Sequence, residues 1–230
     1  MSEHSVVRFE AGAAPSAPRP AVVVVATVAA GAATFLGMPA VVDADRPAVH
    51  VVAAVAIAAL TLAVVPLAAA SRVYAPAAQV ALLSAGAAAI HFVVVSEHFE
   101  EWWVFGLFFA ATAIAQLTWA SLIVTRRSRL LTWVGVVGNA AIVALWIVSR
   151  TAGVPLGPDA GMPEPVGVAD SVASAFEVGI VAVGAWLAAS VSTTPRTPMR
   201  IAWILAGLTL ALTTVGLLSA VAPGIIPVGE

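Results

Sequence analysis

Residues 77–95, AAQVALLSAGAAAIHFVVV, form an uncharged run in which only Gln79, Ser84 and His91 are polar. A helix needs about 20 predominantly apolar residues to cross the hydrocarbon core of a bilayer. Backbone N–H and C=O groups inside lipid must be satisfied within the segment, which favours a helix over a strand. The run therefore predicts a transmembrane helix that carries one ionisable side chain, His91.

Six other runs of similar length and composition occur on both sides of this one. They cover residues 21–38, 51–70, 102–124, 130–148, 170–191 and 201–222. The mean hydropathy is +1.04 and 61% of the residues are hydrophobic, which leaves no room for a soluble domain. None of the runs shows the strict alternation of a barrel strand. The chain is predicted to be an all-α integral membrane protein, a polytopic bundle of seven transmembrane helices.

Composition excludes several kinds of chemistry. The chain has no cysteine, which rules out disulfides, thiolate metal sites and thiol redox reactions. It also has no lysine, so a retinal or other Schiff base cannot form. No pair of deep histidines predicts haem, no Walker loop or nucleophile elbow occurs, and nothing supports nucleic-acid binding. Abundant Ala, Val, Gly and Arg without Lys is typical of a GC-rich bacterial genome.

The arginines predict the orientation in a cytoplasmic (inner) membrane, since cytoplasmic connections carry the excess of positive charge. Only Arg46 and Arg150 lie on the side that would be outside. The other arginines lie on the side that would be cytoplasmic, at positions Arg8, Arg19, Arg72, Arg126, Arg127, Arg129, Arg196 and Arg200. The N-terminus is therefore predicted inside and the C-terminus outside. Nine of the 12 acidic residues fall outside.

The segments around the spans complete the predicted organisation. Residues 1–20 are rich in Ala, Pro and Ser and should form a disordered cytoplasmic tail. A cleaved signal sequence over 21–38, which would leave six spans, is the alternative, but the apolar run is long for that. Residues 149–168 hold four prolines and four glycines and predict a stiff extracytoplasmic connection. Residues 223–230 form a short outer tail.

Ionisable side chains collect near the outer ends of the predicted spans. His91 lies about 6 Å below the end of its span and Glu177 about 10 Å below Asp170, at 1.5 Å per residue. Asp170, Ser174 and Glu177 share one helix face because of their spacing. His98 and Glu101 are predicted to belong to the same helix as Gln116, the one that spans residues 102–124, and to share a face with it. Asn139 lies deeper, and His50 opens the second span on the outer side.

These residues predict a metal site. Its ligands would be His91, His98, Glu97, Glu101, Asp170 and Glu177, supported by His50, Gln116, Asn139, Arg150 and Ser174. Nitrogen and oxygen ligands without thiolate suit a divalent zinc, iron, manganese or copper ion. Ionisable groups inside a membrane usually have a partner or a function.

Structural explanations of the same residues stay open. The carboxylates at 97, 100 and 101 fit a solvated loop at a helix N-terminus. His91 fits a neutral histidine that bonds across helices, and Glu177 fits a partner of Arg150.

Two classes of function follow. One is a protein that handles or uses a divalent metal at its outer face, as a metal-dependent enzyme if it is an enzyme at all. The other is a transporter, channel or accessory subunit with a polar stripe that conducts protons or ions without metal. The expected partners are the lipid bilayer and either a second membrane protein or another copy of the chain.

Overall fold

The computed structural model describes residues 75–126, 128–190 and 199–221, and all regular secondary structure in these ranges is helical. The helices are α1 Ala75–Glu101, α2 Trp103–Thr125, α3 Arg129–Thr151, α4 Val168–Ala189 and α5 Met199–Val221. The all-α prediction is confirmed for this part of the chain. The predicted spans 21–38 and 51–70, both predicted tails and His50 lie outside the described residues.

Four of these helices are long and apolar enough to cross a membrane. They are Pro76–Glu101 within α1, Trp103–Thr125, Arg129–Thr151 and Val168–Ala189, whereas α5 offers the shorter apolar stretch Gly207–Ala220. The outward side of α3 exposes Leu130, Val134, Val137 and Ile147. In a bilayer such side chains contact acyl chains instead of water, so the described residues form a membrane bundle in contact with lipid.

Helix α1 lies at the centre of the described bundle. It packs against α2, α4 and α5, while α3 packs mainly against α4. Small side chains on α1, Ala85 and Ala88 among them, bring the helices close enough for Phe176 and Ile180 of α4 to be buried. Helix association inside lipid relies on such close contact, because lipid tails are as apolar as the side chains they replace.

The junction between α1 and α2 differs from the prediction. The α1 helix does not end with its apolar run at residue 95 but continues to Glu101, and only Trp102 is extended, with φ −163° and ψ 130°. The prediction that His98 and Glu101 lie on the helix of Gln116 is therefore wrong: they end α1, and Gln116 is on α2. Hydropathy marks where the apolar core ends, whereas polar residues can continue the backbone hydrogen bonds of a helix beyond it.

The connection between α3 and α4, residues 152–167, which we call the cap, is ordered by its own backbone hydrogen bonds. Gly161 N donates to Val154 O at 2.8 Å, and Glu164 N donates to Ser149 O at 2.9 Å. Gly153, with φ 74°, meets the backbone at 161–162 so closely that a Cβ would lie 2.5 Å from it. Glycine is required where the backbone is left-handed and crowded.

The cap lies over the start of α2. A Cβ on Gly157 would lie 2.7 Å from the Phe105 ring and 3.2 Å from Trp102. The cap and the α1–α2 junction therefore share one end of the bundle, which we call the acidic end after Glu97, Glu101 and Glu164. The opposite end, with exposed Arg126 and Arg129, is the arginine end.

Candidate functional site

A histidine and a glutamate from different helices pair inside the bundle. His91 Nε2 on α1 lies 3.0 Å from Glu177 Oε1 on α4. The exposed fraction is 6% for His91 and 1% for Glu177. Two lone pairs would repel at this distance, so at least one hydrogen lies between the nitrogen and the oxygen. The similar depth estimated from the sequence placed these two residues together correctly.

Two amide side chains extend the contact from the same carboxylate oxygen. Gln116 Nε2 on α2 donates to Glu177 Oε1 at 2.9 Å and to Asn139 Oδ1 on α3 at 3.2 Å. Asn139 Nδ2 in turn donates to Gly135 O at 2.8 Å. Gln116 and Asn139 are both 4% exposed. The four side chains come from four helices and form one hydrogen-bonded network, which we call the interior network.

One atom of this network has no partner among the described residues. The side-chain oxygen of Gln116, Oε1, is buried and accepts no hydrogen bond from them. A buried acceptor left without a donor typically costs about 1–3 kcal/mol. The interior network can therefore accept one more donor or a cation at Gln116 Oε1.

The expected alternative partner of Glu177, Arg150, is occupied elsewhere. Its Nε and Nη2 donate to Asp170 Oδ2 at 3.0 and 2.7 Å, and its Nη1 contacts Glu164 of the cap. Trp146 Nε1 donates to the same Asp170 oxygen at 2.9 Å. The suggestion that Glu177 pairs with Arg150 is therefore wrong, because Asp170 is the residue that faces the guanidinium.

The remaining candidate ligands do not join His91 and Glu177. His98 Nδ1 donates to Val94 O at 2.8 Å, and Glu97 and Glu101 are exposed at the acidic end. Within residues 75–126, 128–190 and 199–221, no group of three or more His, Asp or Glu side chains could hold a metal ion. The six proposed ligands thus separate into the buried pair, the Arg150 cluster and the surface of the acidic end.

The supporting residues of the sequence prediction fall into the same groups. Gln116 and Asn139 belong to the interior network, and Arg150 belongs to the cluster at the cap. Ser174 is buried on α4, three residues before Glu177. The sequence did not point to Trp146, to Glu164 as a partner of Arg150, or to Phe109, whose ring contacts both His91 and His98. Aromatic residues are so common in membrane spans that no local pattern distinguishes Phe109.

Buried polar groups continue from the interior network toward the arginine end. Thr132 lies seven residues before Asn139 and is buried on the same face of α3. Its Oγ1 donates to Ser128 O at 3.0 Å, where the helix begins. One face of α3 therefore carries two buried polar side chains, Asn139 in the interior network and Thr132 two turns closer to the arginine end.

Comparisons of the chain with models of protein families, with curated proteins and with solved structures give no match.

Proposed function

We propose that this chain is a multi-pass protein of a bacterial cytoplasmic membrane that conducts protons, with the His91–Glu177 pair as the proton-binding site in its interior. It acts as a channel, a transporter or a subunit of one, not as an enzyme. The observation that carries the proposal is the pair itself: a carboxylate 1% exposed, 3.0 Å from an imidazole.

Charge balance is the physical argument. A neutral imidazole beside an ionised carboxylate gives the pair a net charge of −1, which is costly in the interior of a membrane protein. Arg150 cannot offset this charge, because it is bound to Asp170 and Glu164. One added proton, on the imidazole or on the carboxylate, brings the net charge of the pair to zero. A site that gains stability from one proton and can release it again is suited to passing protons on.

The surroundings of the pair support conduction more than static structure. Toward the arginine end, Asn139 and Thr132 provide a buried polar face on α3. Toward the acidic end, His98 lies two turns beyond His91 on α1, and the Glu101 carboxylate interacts electrostatically with it. Together with the predicted seven spans and a cytoplasmic N-terminus, this arrangement would take protons from outside the cell toward the cytoplasm.

A divalent metal is the second candidate, and the unpartnered Gln116 Oε1 is the observation that favours it. A cation beside His91, Glu177 and Gln116 would offset the same negative charge. Zinc, iron, manganese or copper could be held by the imidazole nitrogen of His91, a carboxylate oxygen of Glu177 and Gln116 Oε1. Catalytic zinc sites usually have three His, Cys or carboxylate ligands, whereas an amide oxygen is a weaker donor to such ions.

A flux measurement tests the proton proposal. The purified protein is reconstituted into liposomes, a potassium diffusion potential is applied, and the internal pH is followed with a trapped dye. We expect proton uptake with the wild type, loss of this uptake with Glu177→Gln, and unchanged uptake with Glu100→Gln. Glu100 is the matched control, since it is an exposed glutamate at the acidic end.

Elemental analysis of the same preparations separates the two candidates. Uptake that is equal in the wild type and Glu177→Gln, or no uptake above that of empty liposomes, would overturn the proton proposal. Stoichiometric metal in the wild type that is lost in both His91→Ala and Glu177→Gln would establish the metal site instead. Metal that both substitutions leave in place would show that it is bound elsewhere.

A further inference from the structure

The route by which protons reach the buried pair can be inferred from one aromatic side chain. His91 and His98 are seven residues apart on α1, so they lie on one face about 10 Å apart along the axis. The Phe109 ring of α2 contacts both imidazoles: its centroid is 3.8 Å from that of His98 and 5.5 Å from that of His91. Phe109 therefore lies between the two histidines.

His98 has the features of an exchange site at the bundle surface. A carbonyl oxygen only accepts hydrogen bonds, so the 2.8 Å contact with Val94 O fixes a hydrogen on Nδ1. The proton that His98 gains or loses is therefore the one on Nε2. The Glu101 carboxylate at the end of α1 interacts electrostatically with His98, and Glu97 of α1 and Asp159 and Glu164 of the cap lie within electrostatic range of Glu101. These carboxylates raise the local concentration of protons and other cations.

Phe109 has the features of a barrier. Its ring, together with that of Phe99, packs against the buried apolar side chains of Val95 and Ala110. A phenyl ring has no group that can donate or accept a proton in a relay, so a proton cannot pass through it. A proton that passes directly from one histidine to the other therefore needs this ring to move or to be replaced by water.

We propose that His98 is the proton relay at the acidic end and that the Phe109 ring is the gate between it and the His91–Glu177 pair. The direction of transfer rests on the proposed function. The gate does not, because it concerns only the access of solvent to His91. Each transfer moves one proton: His98 Nε2 loses it, and the His91–Glu177 pair gains it.

Deuterium exchange at the C2 carbon of histidine, read by mass spectrometry, tests the gate directly. This exchange reports the access of solvent to each imidazole, and peptides resolve His91 from His98. We expect Phe109→Ala to accelerate exchange at His91 by at least about tenfold, which corresponds to ~1.4 kcal/mol in the opening equilibrium.

The matched control is Phe105→Ala. It removes an aromatic ring from the same helix at the same end, where Phe105 packs edge to face on Trp102, with centroids 5.1 Å apart. The exchange at His91 should then stay at the wild-type rate. Phe109→Leu, which keeps most of the volume, should give an intermediate rate and replaces the alanine variant if that variant does not fold. Exchange at His91 that is the same in both Phe109 variants as in the wild type would overturn the gate.

The relay is tested with the liposome flux. We expect His98→Gln to reduce proton uptake severalfold, while Glu100→Gln leaves it unchanged. Uptake that His98→Gln leaves intact but Glu177→Gln abolishes would remove the relay and keep the proposed function. Uptake that neither substitution changes would remove the proposed function, whereas the exchange result at His91 would still decide whether Phe109 closes the access path.

Discussion

Glu177 shows how single residues set the chemistry of this bundle. Its Oε1 lies within hydrogen-bond distance of His91 Nε2 on α1 and accepts a hydrogen bond from Gln116 on α2, which also donates to Asn139 on α3. The orientation of the carboxylate therefore depends on four helices packed at the right distance. Small residues make that distance possible, and one of them, Gly135, is also the residue whose carbonyl oxygen fixes Asn139.

Two glycines of α3 provide a test of this packing. A Cβ on Gly135 would lie 2.2 Å from the Trp119 ring, whereas a Cβ on Gly138 would meet nothing within 4 Å in the described part of the chain. We expect Gly135→Ala to destabilise the protein by ~1–3 kcal/mol, as overpacking does.

The control, Gly138→Ala, should be neutral or stabilising by up to about 1 kcal/mol, because alanine is the better helix former. Both changes in the free energy of unfolding are measured from the fraction of folded protein at increasing concentrations of a denaturing detergent. Equal effects of the two substitutions would contradict the packing described for Gly135.

At the residue scale, the sequence predicted the contact that depends on depth and missed the contacts that depend on rotation about the helix axis. His91 and Glu177 could be placed together because position in a span gives depth to within about one turn. Asp170 and Glu177 are two turns apart on α4 and share a face, so the pattern could not say which of them Arg150 would bind. The answer follows from where α3 ends, since Arg150 lies next to the cap and not beside the interior network.

At the scale of the elements, a single cation, Arg150, connects the cap to the ends of two helices. Arg150 joins the end of α3 to Glu164 in the cap and to Asp170 in the first turn of α4. Glu164 is 43% exposed and Asp170 25% exposed, so these ion pairs are partly screened by solvent. The expected contribution is modest, of the order of 1 kcal/mol.

Arg150→Gln should loosen the cap without unfolding the bundle. We expect the amide hydrogens of Gly161 and Glu164, which are bonded within the cap and to Ser149, to exchange severalfold faster. Arg129→Gln is the control, because Arg129 is exposed at the opposite end. Amide exchange in the cap that is unchanged by Arg150→Gln would show that its backbone hydrogen bonds and glycine turns are sufficient.

The ends of the elements were harder to predict than their existence. The apolar run gave α1 its position but not its length, because the helix continues through His98 to Glu101. The consequence is functional: His91 and His98 share α1, and it is Phe109 of α2 that approaches both. A prediction that placed His98 on α2 could not find the ring between the two histidines.

For the whole molecule, the two ends of the bundle differ in charge. The acidic end carries Glu97, Glu101, Asp159 and Glu164, and the opposite end carries Arg126 and Arg129. The positive-inside rule predicts that the arginine end lies in the cytoplasm. Protons that enter past His98 would then come from outside the cell.

Single-cysteine labelling tests this orientation, since the native chain has no cysteine. We expect a cysteine introduced by Glu100→Cys to react with a membrane-impermeant thiol reagent in intact cells. One introduced by Arg126→Cys should react only after the membrane is permeabilised. Both native residues are exposed, so neither result depends on unfolding. The reverse pattern of labelling would invert the proposed direction of proton entry.

The proposal that the His91–Glu177 pair holds a proton is tested most directly by measuring the protonation state of the pair in a bilayer. Nuclear magnetic resonance of protein with ¹⁵N-labelled histidine and ¹³C-labelled glutamate reports it near neutral pH, with His91→Gln and Glu177→Gln used to assign the signals. We predict a pair of zero net charge, seen either as two protonated nitrogens on His91 or as a protonated carboxyl on Glu177. A neutral His91 beside an ionised Glu177, with no bound cation, would contradict the proposal that the pair holds a proton inside the membrane.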